Sequence, residues 1–179
     1  YYDATEFKII GKGDWNTESP YYRLPSSVQG KTRGAVWALG TNSAGIAVRF
    51  RSNSKFIAAK WETVNNHMNH MSDTGTKGLD LYALKDGKWQ YVITGRPNTD
   101  GKTETNLITG LDGEMREYML YLPLYDTTKK LEIGVDSTSI IEMPKINSPK
   151  AEKTVIVYGT SITQGGCANR PGMCYTSIL

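Results

Sequence analysis

The sequence is poor in the residues that build covalent and metal frameworks. Its 179 residues hold two cysteines, Cys167 and Cys174, and two histidines, His67 and His70. One cysteine pair cannot staple a small disulfide fold, and two imidazoles fall short of a structural metal site. Two readings of the thiols stay open: a local disulfide in an oxidising compartment, or two free thiols beside a helix start. His67 and His70 form an HxxH in WETVNNHMNHMSDTGTKG, with Asp73 the only acid close in sequence. Loop polarity accounts for that motif better than a metal pair, or than a base reaching across a domain interface, and no metal is expected. No apolar run approaches the roughly 18 residues of a membrane-spanning helix. Charge of one sign is scarce too: 21 Lys and Arg face 18 Asp and Glu, a formal net charge of +3. KTRG (31–34) and TTKK (127–130) read as turn decoration. A basic stripe interleaved with aromatics is lacking, which excludes nucleic acid as a partner. The chain opens at Tyr1 without an initiator methionine or a signal peptide, so a trimmed segment or a removed leader is expected.

Tyrosine is plentiful, with 11 Tyr and 4 Trp against 3 Phe. Amphipathic rings suit half-buried sheet faces and carbohydrate surfaces alike. Residues 1–30 predict one short edge strand near EFKII and then a wrapping loop. From Arg33 a period of two takes over. RGAVWALG reads as a strand. GIAVRFR places Ile46, Val48 and Phe50 on one face, and KFIAAKWE places Ile57, Ala59 and Trp61 opposite Lys60 and Glu62. GLDLYAL and KWQYVIT are joined by Asp86-Gly87, a strong hairpin signal. TETNLITG, EYMLYLP, KLEIGV and a short strand near SIIEM complete about nine strands, with no helix predicted before Pro149. Turn signals every 8–12 residues predict an all-β, jelly-roll-like two-sheet β-sandwich over residues 1–148. MPKINSPKAEK then reads as a linker.

The pattern changes at TVIVY (154–158), a continuous β-branched run of the kind buried on both faces of a parallel sheet. GTSITQGG follows, and after Pro171-Gly172 comes MCYTSIL, an incipient helix. Residues 149–179 therefore read as the first β-strand and helix start of a truncated α/β domain, with no neighbouring strands to bury TVIVY. Such an edge invites self-association through 154–158. Ser161 stands between Gly159-Thr160 and Gly165-Gly166. On pattern alone it could be a nucleophile, a phosphate ligand, a helix cap or a turn filler, since a serine nucleophile needs a base and oxyanion donors as well.

GTSITQGG resembles the first block of the SGNH (GDSL-type) hydrolases, with Thr160 where that block usually carries Asp. GLDLY (78–82) resembles the signature of the β-sandwich domain that precedes such hydrolases in bacterial proteins, and NHMNHMSDTGTKGLDLY, GRPN and REYMLYLPLYD look like the rest of that module. The resemblance implies that Ser161 is the nucleophile and that its own amide is one oxyanion donor. Gly159, Thr160, Gly165, Gly166, His67 and His70 would then surround the substrate. It further implies deacylation of esters, often acetyl groups on polysaccharides, without a cofactor, in a secreted or periplasmic protein. The blocks carrying the other oxyanion donors and the Asp and His of the base have no counterpart here. The 179 residues alone are therefore expected to be inactive, completed only by the remainder of the hydrolase domain. The other expectation, of a different class, is a carbohydrate-binding or structural module, with Trp15, Tyr21, Tyr22, Trp37, Trp61 and Trp89 as candidate rings.

Overall fold

Alternation along the strands decides which side chains meet. The structure, a computed structural model, describes residues 1–146 and 155–179. Its strands are β1 (Tyr2–Asp3), β2 (Lys8–Ile10), β3 (Ala47–Ser52), β4 (Phe56–Thr63), β5 (Leu79–Lys85), β6 (Lys88–Gly95), β7 (Lys102–Thr109), β8 (Arg116–Tyr121), β9 (Thr128–Gly134) and β10 (Ile141–Glu142). One sheet runs β1-β9-β4-β7 and the other β10-β3-β8-β5-β6, with β2 also pairing β3. Every pairing is antiparallel. With β2 and β10 set aside, the eight remaining strands stand in the order first-eighth-third-sixth against second-seventh-fourth-fifth. That order is a jelly roll, as the turn spacing predicted.

The predicted inner faces are the observed ones. Ile46, Val48 and Phe50 meet Ile57, Ala59 and Trp61 in one core, with Leu79, Leu81, Tyr118, Leu120, Leu131 and Ile133. Phe50 stacks on Tyr118 at 5.3 Å between centroids. Each fully buried large side chain here contributes about 1.5–3 kcal/mol. The β5–β6 hairpin turns at Asp86 and Gly87, both with positive φ (52° and 74°), the geometry that matches strand twist in a two-residue loop.

Three expectations are corrected. RGAVWALG is not a strand: Gly34–Gly40 form helix α1. No side chain caps its start, and its end is held from outside. The Arg23 backbone N–H donates to the Gly40 carbonyl, and its guanidinium donates to the carbonyls of Leu39 and Asn42. A tertiary contact thus overrides the alternation of A-V-W-A-L. A second helix before Pro149, α2 (Asp73–Lys77), is capped by the Ser72 hydroxyl. Nor do residues 155–158 form a strand: Val155, Ile156 and Tyr158 are 80%, 78% and 98% exposed, and no described strand pairs with them. Thr154 and most of the predicted linker, with the 148/149 boundary, lie outside the described residues.

The return from β9 is tied to the β3–β4 turn by Asp136, whose carboxylate accepts from the Lys55 backbone N–H and the Ser54 hydroxyl at 3.0 Å each. Those bonds, the Lys55 amide foremost and the Thr138 and Ser54 hydroxyls with it, lower its pKa to about 2. A carboxyl depressed in the folded state stabilises above its unfolded pKa near ~4, and that contribution is lost as pH falls towards about 2. Carbon-detected NMR titration should place the Asp136 midpoint near 2, and Asp136→Asn should flatten the acid limb of the stability curve. A midpoint at the free-carboxylate value would contradict the tie.

Candidate active site and its seat on the sandwich

Ser161 opens a single helical turn, α3 (Ser161–Gln164), and is itself exposed. Thr160 stands at the N-cap in extended conformation, and its carbonyl accepts from the Gln164 N–H at 3.1 Å. Gly165 ends the turn at φ 100°, in the left-handed region that favours glycine. A β-carbon there would also meet Cys174 and Leu124 within 3.0 Å. The Gly166 N–H donates to the Ser161 carbonyl at 2.7 Å. Gly159 lies under Thr163, whose hydroxyl stands 2.1 Å from where a β-carbon would be. The five residues singled out around GTSITQGG are therefore one compact turn, with the Ser161 side chain on its open side.

This turn is seated on the sandwich. The Tyr125 hydroxyl donates to the Ser161 carbonyl at 2.9 Å, and the buried Gln164 amide donates to the Leu124 carbonyl at 3.1 Å. Burial raises the Tyr125 pKa, which keeps its hydroxyl a donor. Leu124 and Tyr125 form a second small core with Ala44, Met71 and Cys174, flanked by Met68 and Ala168. Farther along, a short turn (Pro171–Met173) and helix α4 (Tyr175–Ile178) lie on the outer face of the β10-β3-β8-β5-β6 sheet.

That outer face carries Asp80 and Tyr82, the alternate members of GLDLY whose partners Leu79 and Leu81 point inward. Asp80 is fully buried. It accepts from the Thr94 hydroxyl at 2.7 Å, the Arg170 guanidinium at 2.6 Å and the Gly172 N–H at 2.8 Å. Arg170 also donates to the Tyr82 hydroxyl at 2.9 Å and lies 3.9 Å from the Tyr91 ring centroid. Burial alone would lower the Arg170 pKa, but the bonds to Tyr82 and Asp80 hold it above its ordinary value. The Ser72 and Thr74 hydroxyls both donate to the Asn169 carbonyl. Beside Arg170, a cleft of about 500 Å³ opens between β6, β7 and Asn169, lined by Tyr91, Thr94, Arg96 and Asn106 among others.

His67 and His70 are exposed. His67 Nδ1 lies 3.2 Å from Asp73, and among the described residues no hydrogen bond or ion pair joins either imidazole to Ser161. Their loop nonetheless touches the seat through Met68 and Met71. No group of acids, histidines and cysteines among the described residues is arranged to hold a metal. Both cysteines are free thiols, Cys167 exposed and Cys174 buried. Sequence reasoning passed over Asp80, Tyr82, Tyr125 and Arg170. The available signal was Asp80 itself, an acid on the second face of a strand whose first face is Leu79 and Leu81.

The close approach is sharpest at Gly75, where an added β-carbon would lie 2.1 Å from the Ala168 carbonyl oxygen. Alanine should favour α2 by propensity alone, yet Gly75→Ala must force α2 and the Ala168 backbone apart, which is expected to loosen residues 168–174. Amide exchange over 168–174 is expected to quicken about ten-fold or more while core-strand protection holds. Unchanged exchange would contradict the contact.

The chain matches the model of the N-terminal domain of SGNH-hydrolase-type esterases (GxDLY) over residues 1–141. It matches that of the GDSL-like lipase/acylhydrolase family over residues 152–179. A crystallised protein of Bacteroides ovatus ATCC 8483, assigned as a GDSL-like lipase, is similar at 38% identity with a TM-score of 0.91, over 99% of this chain and 51% of its own. The chain thus spans about half the length of that relative. Salicylyl-acyltransferase SsfX3 of a tetracycline biosynthetic pathway shares the fold, with a TM-score of 0.53 at 19% identity over 72% of this chain and 35% of its own. No curated protein matches the chain. The sandwich, with Asp80 and Tyr82 set in GLDLY, belongs to the family of N-terminal domains of SGNH-hydrolase-type esterases, and the turn that bears Ser161 lies within the residues that match the GDSL-like lipase/acylhydrolase family.

Proposed function

We propose that these residues are the N-terminal part of a longer serine esterase of the SGNH type, which removes acyl groups, acetyl foremost, from polysaccharides or small esters. Residues 1–148 are its accessory sandwich and 149–179 the start of its hydrolase domain. The observation that carries this reading is the seat of Ser161: an exposed serine whose own carbonyl is pinned by Tyr125 and Gly166. Its Oγ attacks the ester carbonyl carbon while a histidine base, in the remainder of the hydrolase domain, takes the hydroxyl proton. The tetrahedral oxyanion is held by backbone amides, Ser161's own among them. Collapse breaks the ester C–O bond, and the alcohol leaves with the proton, giving acyl-Ser161. Water then attacks with the same base, releasing the acid and free serine. No cofactor enters these steps.

Exposed Val155, Ile156 and Ile162 supply an apolar surface for that remainder to cover. In its absence the same surface gives self-association through 154–158, which sedimentation of the 179-residue chain would reveal. The loop bearing His67 and His70 borders the active-site mouth. Secreted or periplasmic placement fits a polysaccharide substrate. In the test, the longer protein hydrolyses p-nitrophenyl acetate and the 179-residue chain shows no turnover above background, for want of the base. Serine-dependent turnover by this chain alone would defeat the reading.

A second reading, a glycan-binding sandwich, is favoured by the hydroxyl- and tyrosine-lined cleft beside Arg170. It is weakened by the burial of Trp61 and Tyr21 in the core. Retardation of the 179-residue chain in polysaccharide-containing gels would favour this second reading over a purely structural sandwich.

A further inference from the structure

We propose that Asp80, Tyr82 and Arg170 form a latch by which the sandwich sets the position of Ser161, so that the accessory domain is a structural part of the catalytic unit. The proposal rests on the reading of Ser161 as nucleophile. All three are positioning residues: none is placed at the reacting atoms.

The latch follows from strand alternation and from charge. β5 turns Leu79 and Leu81 into the core, so Asp80 and Tyr82 must face the other side. A fully buried carboxylate needs a cation and filled lone pairs. Asp80 has both: Thr94 on one oxygen, and Arg170 with the Gly172 N–H on the other. The Tyr82 ring is fixed edge-on by Tyr91 at 5.8 Å and Tyr121 at 5.6 Å, which holds its hydroxyl where Arg170 meets it. Arg170 lies over the Tyr91 ring in turn, 3.9 Å from its centroid. A planar guanidinium reaches two acceptors and stacks at once; an ammonium does not.

Arg170 and Ser161 bound one short loop, and that loop is held at both ends. At its start the sandwich holds the Ser161 carbonyl and the Gln164 amide through Tyr125 and Leu124. At its end the sandwich holds Arg170 and Gly172. Between them Gly165 is buried against Leu124 and Cys174. Freeing the far end lets the whole loop shift, and a displacement near 1 Å at a reacting group costs roughly 100-fold in rate.

The test uses Asp80→Asn, Arg170→Lys and the milder Tyr82→Phe, which keeps the ring and removes only the hydroxyl. In the longer protein, kcat towards p-nitrophenyl acetate should fall about 10- to 100-fold for the first two, with KM within about three-fold. Tyr82→Phe should show a smaller fall of the same kind. The double variant should lose no more than the worse single one, because the pair acts as a unit. Amide exchange in the 179-residue chain separates this proposal from the esterase reading. Arg170→Lys should quicken exchange over 165–174 and leave the strands protected, whether or not the longer protein is an esterase. Unchanged exchange overturns the latch. Wild-type kcat per folded molecule, with only a lowered melting temperature, overturns the positioning role.

Discussion

Ser161→Ala in the longer protein is expected to lower kcat/KM for a small acetyl ester by about 10⁴- to 10⁶-fold while leaving the fold intact. The size follows from the role. Without the hydroxyl no acyl-enzyme forms, and what survives is the contribution of oxyanion donors and binding to direct attack by water. The fold should be indifferent because Ser161 is exposed and the bonds that hold its turn are made by its carbonyl, which alanine keeps. Circular dichroism and melting temperature should match the parent protein. A loss of less than about ten-fold would mean that another residue carries the chemistry.

The largest expected effect on stability is at Trp61. It is 2% exposed, lies in the middle of β4 between β7 and β9, and donates its indole N–H to the Lys77 carbonyl at 3.0 Å. Trp61→Ala removes the largest side chain of the core and strands that carbonyl, at a cost of about 3–5 kcal/mol. Against the roughly 5–15 kcal/mol of a typical domain, much of the sandwich's stability would go. Urea unfolding should show the midpoint lowered by that cost divided by the slope, with the slope itself little changed. A cost below about 1 kcal/mol would return Trp61 to the set of surface rings that could meet a glycan.

The features legible in the sequence were those set by local alternation. Ile46, Val48 and Phe50, and Ile57, Ala59 and Trp61, declare their faces by period two, and Asp86-Gly87 declares its hairpin. The jelly-roll class followed from the spacing of the turn signals; the order of the strands came only with the structure. What alternation could not show was anything settled by a distant partner. Residues 34–40 carry the alternation of a strand but coil into a helix whose last carbonyls Arg23 satisfies from outside. Residues 155–158 have strand composition, yet the described strands give them no neighbour to pair with. Ser161 was singled out by the resemblance of GTSITQGG to the first SGNH block, since its glycine pattern alone left a phosphate ligand, a cap or a turn filler equally open. Its support was not legible, since Tyr125 meets the Ser161 carbonyl, and Asp80 meets Arg170, only through the packing of the two segments.

Both the proposed function and the positioning role of the latch depend on Ser161 being the nucleophile. The most direct test is to treat the longer protein with a fluorophosphonate, which transfers phosphorus to an activated serine Oγ with loss of fluoride, and to map the adduct by mass spectrometry. A single adduct on the peptide containing Ser161, absent after heat denaturation and absent from Ser161→Ala, is the expected result. An adduct on a different serine, or full inhibition with Ser161 unmodified, would contradict it.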